Sequence, residues 1–224
     1  MSTLPQIETR GAWLRWAHVL AWATIGWNIV EGLVAMGFGV SDESIALFGF
    51  GVDSWIEVGS AVVVLWRLQG EAGLEGTRTR ERERRATQGI GVLMGLLGVG
   101  MAIGGLAAVV SGSHPATTVP GVVVAVLSLL FMAFLWRAKV RTADELGSRT
   151  VKADAACSRA CMQLSVVLLA GSALYAVAPA LWWADGVAAI GLGFLVGREG
   201  VEGWREAQKP DFDGGCCGGC EHDG

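Results

Sequence analysis

Asp53 and Glu57 stand four residues apart within GVDSWIEVGSAVVVLWRL, residues 51–68, a stretch that is otherwise almost wholly apolar. A second pair at the same spacing, Cys157 and Cys161, lies in KADAACSRACMQLSVVLLAGSAL, residues 152–174. On a helix, residues at i and i+4 share a face and are about 6 Å apart along the axis. Two such faces turned toward each other offer two carboxylates and two thiols, the number of donors that a tetrahedral dication takes. A bound dication would also explain why charge is tolerated there, since a carboxylate at membrane depth must bind a cation, share a proton or face water. The thiol pair taken by itself has a plainer reading, because Cys packs well as a small hydrophobe.

Other polar groups fall on the same kind of segment. Asn28 and Glu31 either line a cavity or hydrogen-bond across helices. Asp154 precedes the thiols, and Arg159 sits two residues from each Cys, so it projects from the opposite face. It is expected to reach the headgroups or to pair with Asp154. Asp185 lies near the start of the last apolar segment. A third cluster closes the chain in PDFDGGCCGGCEHDG: Cys216, Cys217, Cys220 and His222. Cys217 and Cys220 have the spacing of a metal clip, and the set could complete a Cys3His site in a Gly-rich tail too flexible to fold alone.

The elements that must position these groups follow from composition. The chain has 224 residues, 52% hydrophobic and 17% charged, with 10 Trp and 33 Gly, and a mean hydropathy of +0.48. Gly allows close helix approach in a bilayer and Trp collects at its interfaces. The composition predicts an all-α integral membrane protein, and the net charge of −4 says little because the charges are segregated. Spanning helices need about 20 apolar residues. Six segments qualify, at 12–38, 43–68, 86–112, 117–138, 149–177 and 180–204. Residues 1–11 are then an N-terminal segment, 12–204 the six-helix domain and 205–224 the tail. No cleavable signal peptide is expected, because residues 1–10 lack a basic start.

Basic residues fall on one side. Arg10 and Arg15 precede the first segment, and Arg67, Arg78, Arg80, Arg82, Arg84 and Arg85 lie around the second loop. Arg137, Lys139, Arg141, Arg149 and Lys152 lie around the fourth, and Arg198, Arg205 and Lys209 near the end. The other loops carry none, so the positive-inside rule predicts cytoplasmic termini. The stretch RTRERERRATQ, residues 78–88, reads as a solvated helix extension with mixed-sign pairs, or as a contact for anionic lipid headgroups. Gly91/Gly95 and Gly100/Gly104 have the small-xxx-small spacing that permits helix association, and so a homodimer.

At these residues the sequence resembles the cation diffusion facilitator family of proton-coupled divalent metal transporters. Residues 44–68, SIALFGFGVDSWIEVGSAVVVLWRL, resemble that family's second helix, with its S-x-A-L opening and its D-x-x-x-D metal pair. Asp53 and Glu57 fall on the acidic positions. Residues 152–161 resemble the family's K-A-D-A-x-H-x-R-S-D stretch, with Cys157 at the His position, Cys161 at the Asp position and Arg159 at the Arg. The last segment, WWADGVAAIGLGFLVGREGVEGW, also follows the family pattern, and the similarity spans about residues 20–204. The resemblance implies a transport site of Asp53, Glu57, Cys157 and Cys161. It departs from the family in its two thiols, which favour zinc, cadmium, mercury or lead over manganese or iron. It also departs in the short segment after the last helix, so a variant without the family's C-terminal cytoplasmic domain is expected.

The expected function is proton-coupled efflux of a divalent metal ion, Zn2+ before Cd2+, Hg2+ or Pb2+, by alternating access across the cytoplasmic membrane. A coordinated Cys gives up its proton, so ion and proton exchange. No covalent chemistry, organic cofactor or nucleic acid is expected; the partners are the metal ion, protons, the lipid bilayer and a second copy. Two other readings stay open. A membrane sensor would bind the metal without moving it. A thiol oxidoreductase would need Cys on the oxidising outer face, where none of the five is expected, and thiols at i, i+4 on a helix make a poor disulfide.

Overall fold

The structure, a computed structural model, describes residues 4–41, 45–69, 76–112, 119–210 and 212. Its elements are α1 (Leu4–Ser41), α2 (Ile45–Leu68), α3 (Gly76–Ser111), α4 (Val119–Leu146), α5 (Arg149–Val177) and α6 (Ala184–Gln208), with a 3₁₀ turn at Pro179–Leu181. Each apolar segment in the sequence folds as a helix, and no strand occurs among the described residues. The stretches Arg10–Phe38, Phe48–Leu68, Thr79–Ser111 and Arg149–Val177 are long and apolar enough to cross a membrane. The molecule is a multi-pass membrane protein. Its polarity is the reverse of a soluble bundle's: Asn28, Asp53, Glu57, Ser60, Asp154 and Ser158 are buried, while Val110, Phe134 and Phe194 face outward. Where the surroundings are lipid, outward apolar side chains are solvated and polar ones gather inside.

α1, α2, α5 and α4 form a ring in that order, each packed on its neighbours, and α3 and α6 pair beside it against α2 and α5. The short α4–α5 connection sets two of the ring helices antiparallel. Gly147 takes φ 62°, and the Ser148 N–H donates to the Ala143 carbonyl at 3.1 Å, closing α4 with the left-handed turn that favours glycine. The Ser148 hydroxyl then accepts from the Val151 N–H at 3.3 Å as the N-cap of α5.

The α3–α6 pair is built on a glycine ladder that the four-residue spacings do not reveal. Gly91, Gly98 and Gly105 meet Gly200, Gly193 and Gly186 across the antiparallel interface, at seven-residue intervals on both helices. A Cβ on Gly98 would lie 2.5 Å from the Gly193 carbonyl oxygen, and one on Gly193 would lie 2.6 Å from that of Gly98. Backbones this close leave no room for a side chain. Of the pairs expected to serve a dimer, Gly91 is therefore used within the chain and the Gly95 backbone lies against Gly200, whereas Gly100 and Gly104 face open space. Gly98→Leu is expected to cost about 1–3 kcal/mol or more by forcing the helices apart, while Gly100→Leu changes little. Thermal unfolding of the two variants in detergent checks this, and equal midpoints would refute the ladder.

The charged stretch at the start of α3 is helical, as its pattern predicts, but it is not wholly solvated. Glu83 is fully buried and pairs with buried Arg67 of α2. It also accepts from the Ser148 hydroxyl at 2.8 Å and from the Thr150 N–H at 2.7 Å. A carboxylate there satisfies the free Thr150 amide at the N-terminus of α5 and sits favourably at its dipole.

Candidate functional site

On α2, Asp53 and Glu57 point inward with Ser54 and Ser60; on α5, Asp154, Cys157, Ser158, Cys161 and Ser165 do the same. The four-residue spacing places each set on one face, and the α2–α5 contact brings the faces together. Asp53 and Glu57 are 2% and 1% exposed, and both thiols are fully buried and reduced. The Cys161 thiol stands beside Asp53, and Cys157 lies in the field of Glu57. The four residues singled out from the sequence thus line one interior seam, in two acid–thiol pairs. Among the described residues, however, no group of three His, Cys, Asp or Glu side chains closes to the separation that holds a metal ion. Cys216, Cys217, Cys220 and His222 lie outside the described residues.

The seam is wider than those four residues, and α1 and α4 complete it. Asn28 donates its Nδ2 to the Thr24 carbonyl at 2.9 Å and to Glu57 Oε2 at 3.2 Å. Both partners are acceptors, which fixes the amide orientation and leaves Oδ1 facing elsewhere. Glu31 lies one helical turn further along α1 and is 5% exposed. Its neighbours are Asp53, Ser128 of α4 and Trp27, whose ring stacks on Phe131 at 4.3 Å. Oε1 of Glu57 and Oδ1 of Asn28 are buried with no hydrogen-bond partner in the protein, and the oxygens of Asp53 and Glu31 have nothing closer than the Cys161 thiol for the one and the Ser128 hydroxyl and Trp27 ring N–H for the other. An unpaired polar group in hydrocarbon is unfavourable by several kcal/mol. So many poorly paired groups in one seam mark it as a place for a polar or charged guest. In the sequence, Asn28 and Glu31 were visible only as ambiguous polar residues, and Ser128 gave no signal at all.

At one end of the seam the charge is already balanced. Lys139, which the sequence places among the loop cations, is 1% exposed inside the bundle. Its Nζ lies 2.9 Å from Asp154 Oδ2 and 2.8 Å from the Ser158 hydroxyl, and Ser60 donates to Asp154 Oδ1 at 2.6 Å. Asp154 therefore takes Lys139 as its partner, not Arg159, which instead pairs with Glu199 of α6. Arg159 does lie on the opposite face, and its alternative pairing with Asp154 does not form because the α4–α5 packing delivers Lys139 to the inner face instead. Removing one member of a buried pair strands the other. Lys139→Met is expected to cost about 3–5 kcal/mol, and adding Asp154→Asn to recover most of it. Thermal midpoints of the single and double variants check this; a double variant no better than the single would mean the pair is not the unit.

Beyond α6 the chain folds back onto the start of α3. Phe212 is buried beneath the Arg84 and Arg149 guanidinium groups, 5.8 and 5.5 Å from its ring centroid. Arg80 donates to its carbonyl, and Arg84 donates to that of Lys209 at 2.9 Å.

The profile of the cation efflux transmembrane domain matches residues 88–208, more than half of the chain. A search of curated proteins returns no match.

Proposed function

The chain belongs to the cation efflux family, and from that premise we propose that it exports a divalent metal ion in exchange for protons, with Asp53, Glu57, Cys157 and Cys161 as the ligands. The observation that carries this reading is the state of the acids: Asp53 and Glu57 are both buried, with no cation among the described residues directly bonded to either and with Asp53 meeting only the Cys161 thiol, opposite two buried free thiols. The acids are held about one turn apart by their shared helix, so the donors reach one centre only if the thiol-bearing helix closes on them. A dication supplies the attraction that draws them onto one centre.

In the proposed cycle, six spans enclose the seam with both termini in the cytoplasm, and residues 12–204 form the transporting unit. The ion enters from the cytoplasmic side, the thiols lose protons as they bind it, and protons from the other side reclaim the sulfurs on release. Binding and release are the only chemistry required, so no covalent step and no organic cofactor enter. Thiolates favour Zn2+, Cd2+, Hg2+ or Pb2+ as cargo, with Zn2+ the first candidate, and the cytoplasmic membrane is the proposed location. Cys216, Cys217, Cys220 and His222 have the composition of a capture site for the same ions, and Gly100 and Gly104 offer α3 a surface for a second copy.

Everted vesicles carrying the full chain test the reading. Cd2+ or Zn2+ should accumulate when an acid-inside gradient is imposed and stop when an ionophore collapses it. Binding that saturates with no gradient-dependent accumulation would favour a sensor and defeat the transport reading.

A further inference from the structure

The α1 side of the seam has donors of a different kind from the α5 side. Cys157 and Cys161 approach Asp53 and Glu57 from α5, bringing sulfur. From α1, Glu31 lies beside Asp53 and Asn28 donates to Glu57, and Ser128 of α4 stands against Glu31, so the acceptor atoms on this side are all oxygen. The Asn28 Oδ1 is fully buried without a partner in the protein, and the buried Glu31 carboxylate has only the Ser128 hydroxyl and the Trp27 ring N–H beside it. A buried amide oxygen is an unusual thing to leave unpaired between two carboxylate-bearing helices, and the Ser128 hydroxyl keeps a second lone pair beyond its contact with Glu31. Neither neutralises charge, but both are good ligands for a cation that does. The charge also fits, since Glu31 and Asp53 together match one dication.

We propose that Glu31, Asn28 and Ser128, together with Asp53, form a second cation position made wholly of oxygen donors, adjoining the thiol-containing one and sharing Asp53 with it. An ion chosen by the sulfurs would step onto this position and leave from it. Soft and borderline ions bind oxygen less tightly than thiolate, so the step separates selection at the sulfurs from release at the oxygens. The proposal rests on the transport reading for Asp53 but not for the thiols.

Mn2+ is a suitable probe because it prefers oxygen, and its paramagnetic resonance signal distinguishes free from bound ion. Cd2+ reports the thiols through its ultraviolet sulfur-to-metal charge-transfer band. Both are titrated into the full chain in nanodiscs, with Cys216, Cys217 and Cys220 each changed to Ser so that only the thiols of α5 contribute. The parent protein should bind Mn2+. Glu31→Gln should weaken that binding at least about tenfold while leaving the Cd2+ band in place. Ser128→Ala, which removes one small hydroxyl and leaves the packing of α4 in place, should weaken Mn2+ binding in the same direction. Cys157→Ser with Cys161→Ser should abolish the Cd2+ band and leave Mn2+ bound. Absence of Mn2+ binding in the parent, Mn2+ binding unaffected by both Glu31→Gln and Ser128→Ala, or loss of both signals together in the Cys variant would overturn the proposal. Mn2+ binding that depends on Glu31 in a protein with no Cd2+ band would support the oxygen position and count against the thiol ligands alone.

Discussion

Asp53→Asn is expected to abolish metal flux and yet yield a protein at least as stable without metal as the parent. The two halves of that result have one cause. The Asp53 carboxylate is buried with only the weak Cys161 thiol donor beside it, so the charge gains little in the metal-free fold and its desolvation opposes folding. An amide of the same shape relieves that opposition. It also removes the carboxylate that stands between the Cys161 thiol and Glu31, common to both donor sets. Loss of a direct ligand should weaken binding by more than the 10–100-fold typical of losing a supporting partner. Two measurements check it: initial rates of gradient-driven uptake, and thermal midpoints with and without Zn2+. The parent should gain stability from Zn2+ and the variant should not. Uptake near the parental rate would remove Asp53 from the site.

Exchanging both sulfurs should redirect the protein and not disable it. Cys157→His with Cys161→Asp keeps donors at the same two positions on the inner face of α5 but replaces soft atoms with borderline and hard ones. The ratio of Cd2+ to Zn2+ transport is expected to fall at least about tenfold, with Mn2+ gaining relative to both. The double change is needed because one remaining thiolate still favours Cd2+. Both positions are fully buried, and His is larger than Cys, so some loss of rate is expected on packing grounds. The ratio, not the rate, carries the information. An unchanged ratio would mean that the thiols pack the α5 face and do not ligate.

Much of this was legible in the sequence because the signals are local. A long apolar run predicts a helix, and a four-residue spacing predicts a shared face; neither depends on what the helix packs against. For that reason the helices, the inward Asp53–Glu57 and Cys157–Cys161 faces, and the helical start of α3 could all be read in advance. What could not be read depends on which helices meet. Lys139 looks like a loop cation until α4 runs on to Leu146 and carries it against Asp154. Glu83 is one of several charges in a mixed run until the start of α5 is set beside it. The ladder of Gly91, Gly98 and Gly105 has a period of seven, which acquires meaning only once Gly186, Gly193 and Gly200 are seen opposite. Asn28 and Glu31 share a face of α1, but only the ring of α1, α2, α4 and α5 turns that face toward Asp53 and Ser128.

The account stands or falls on acids and thiols meeting at one ion, and X-ray absorption at the zinc edge observes that directly. The sample is the full chain with Cys216, Cys217 and Cys220 changed to Ser, loaded with one equivalent of Zn2+. A mixed shell is expected, with two sulfurs at about 2.3 Å and the remaining ligands oxygen at about 2.0–2.2 Å. The sulfur shell should vanish in Cys157→Ser with Cys161→Ser. A shell of oxygen alone in the sample that retains Cys157 and Cys161 would contradict the account.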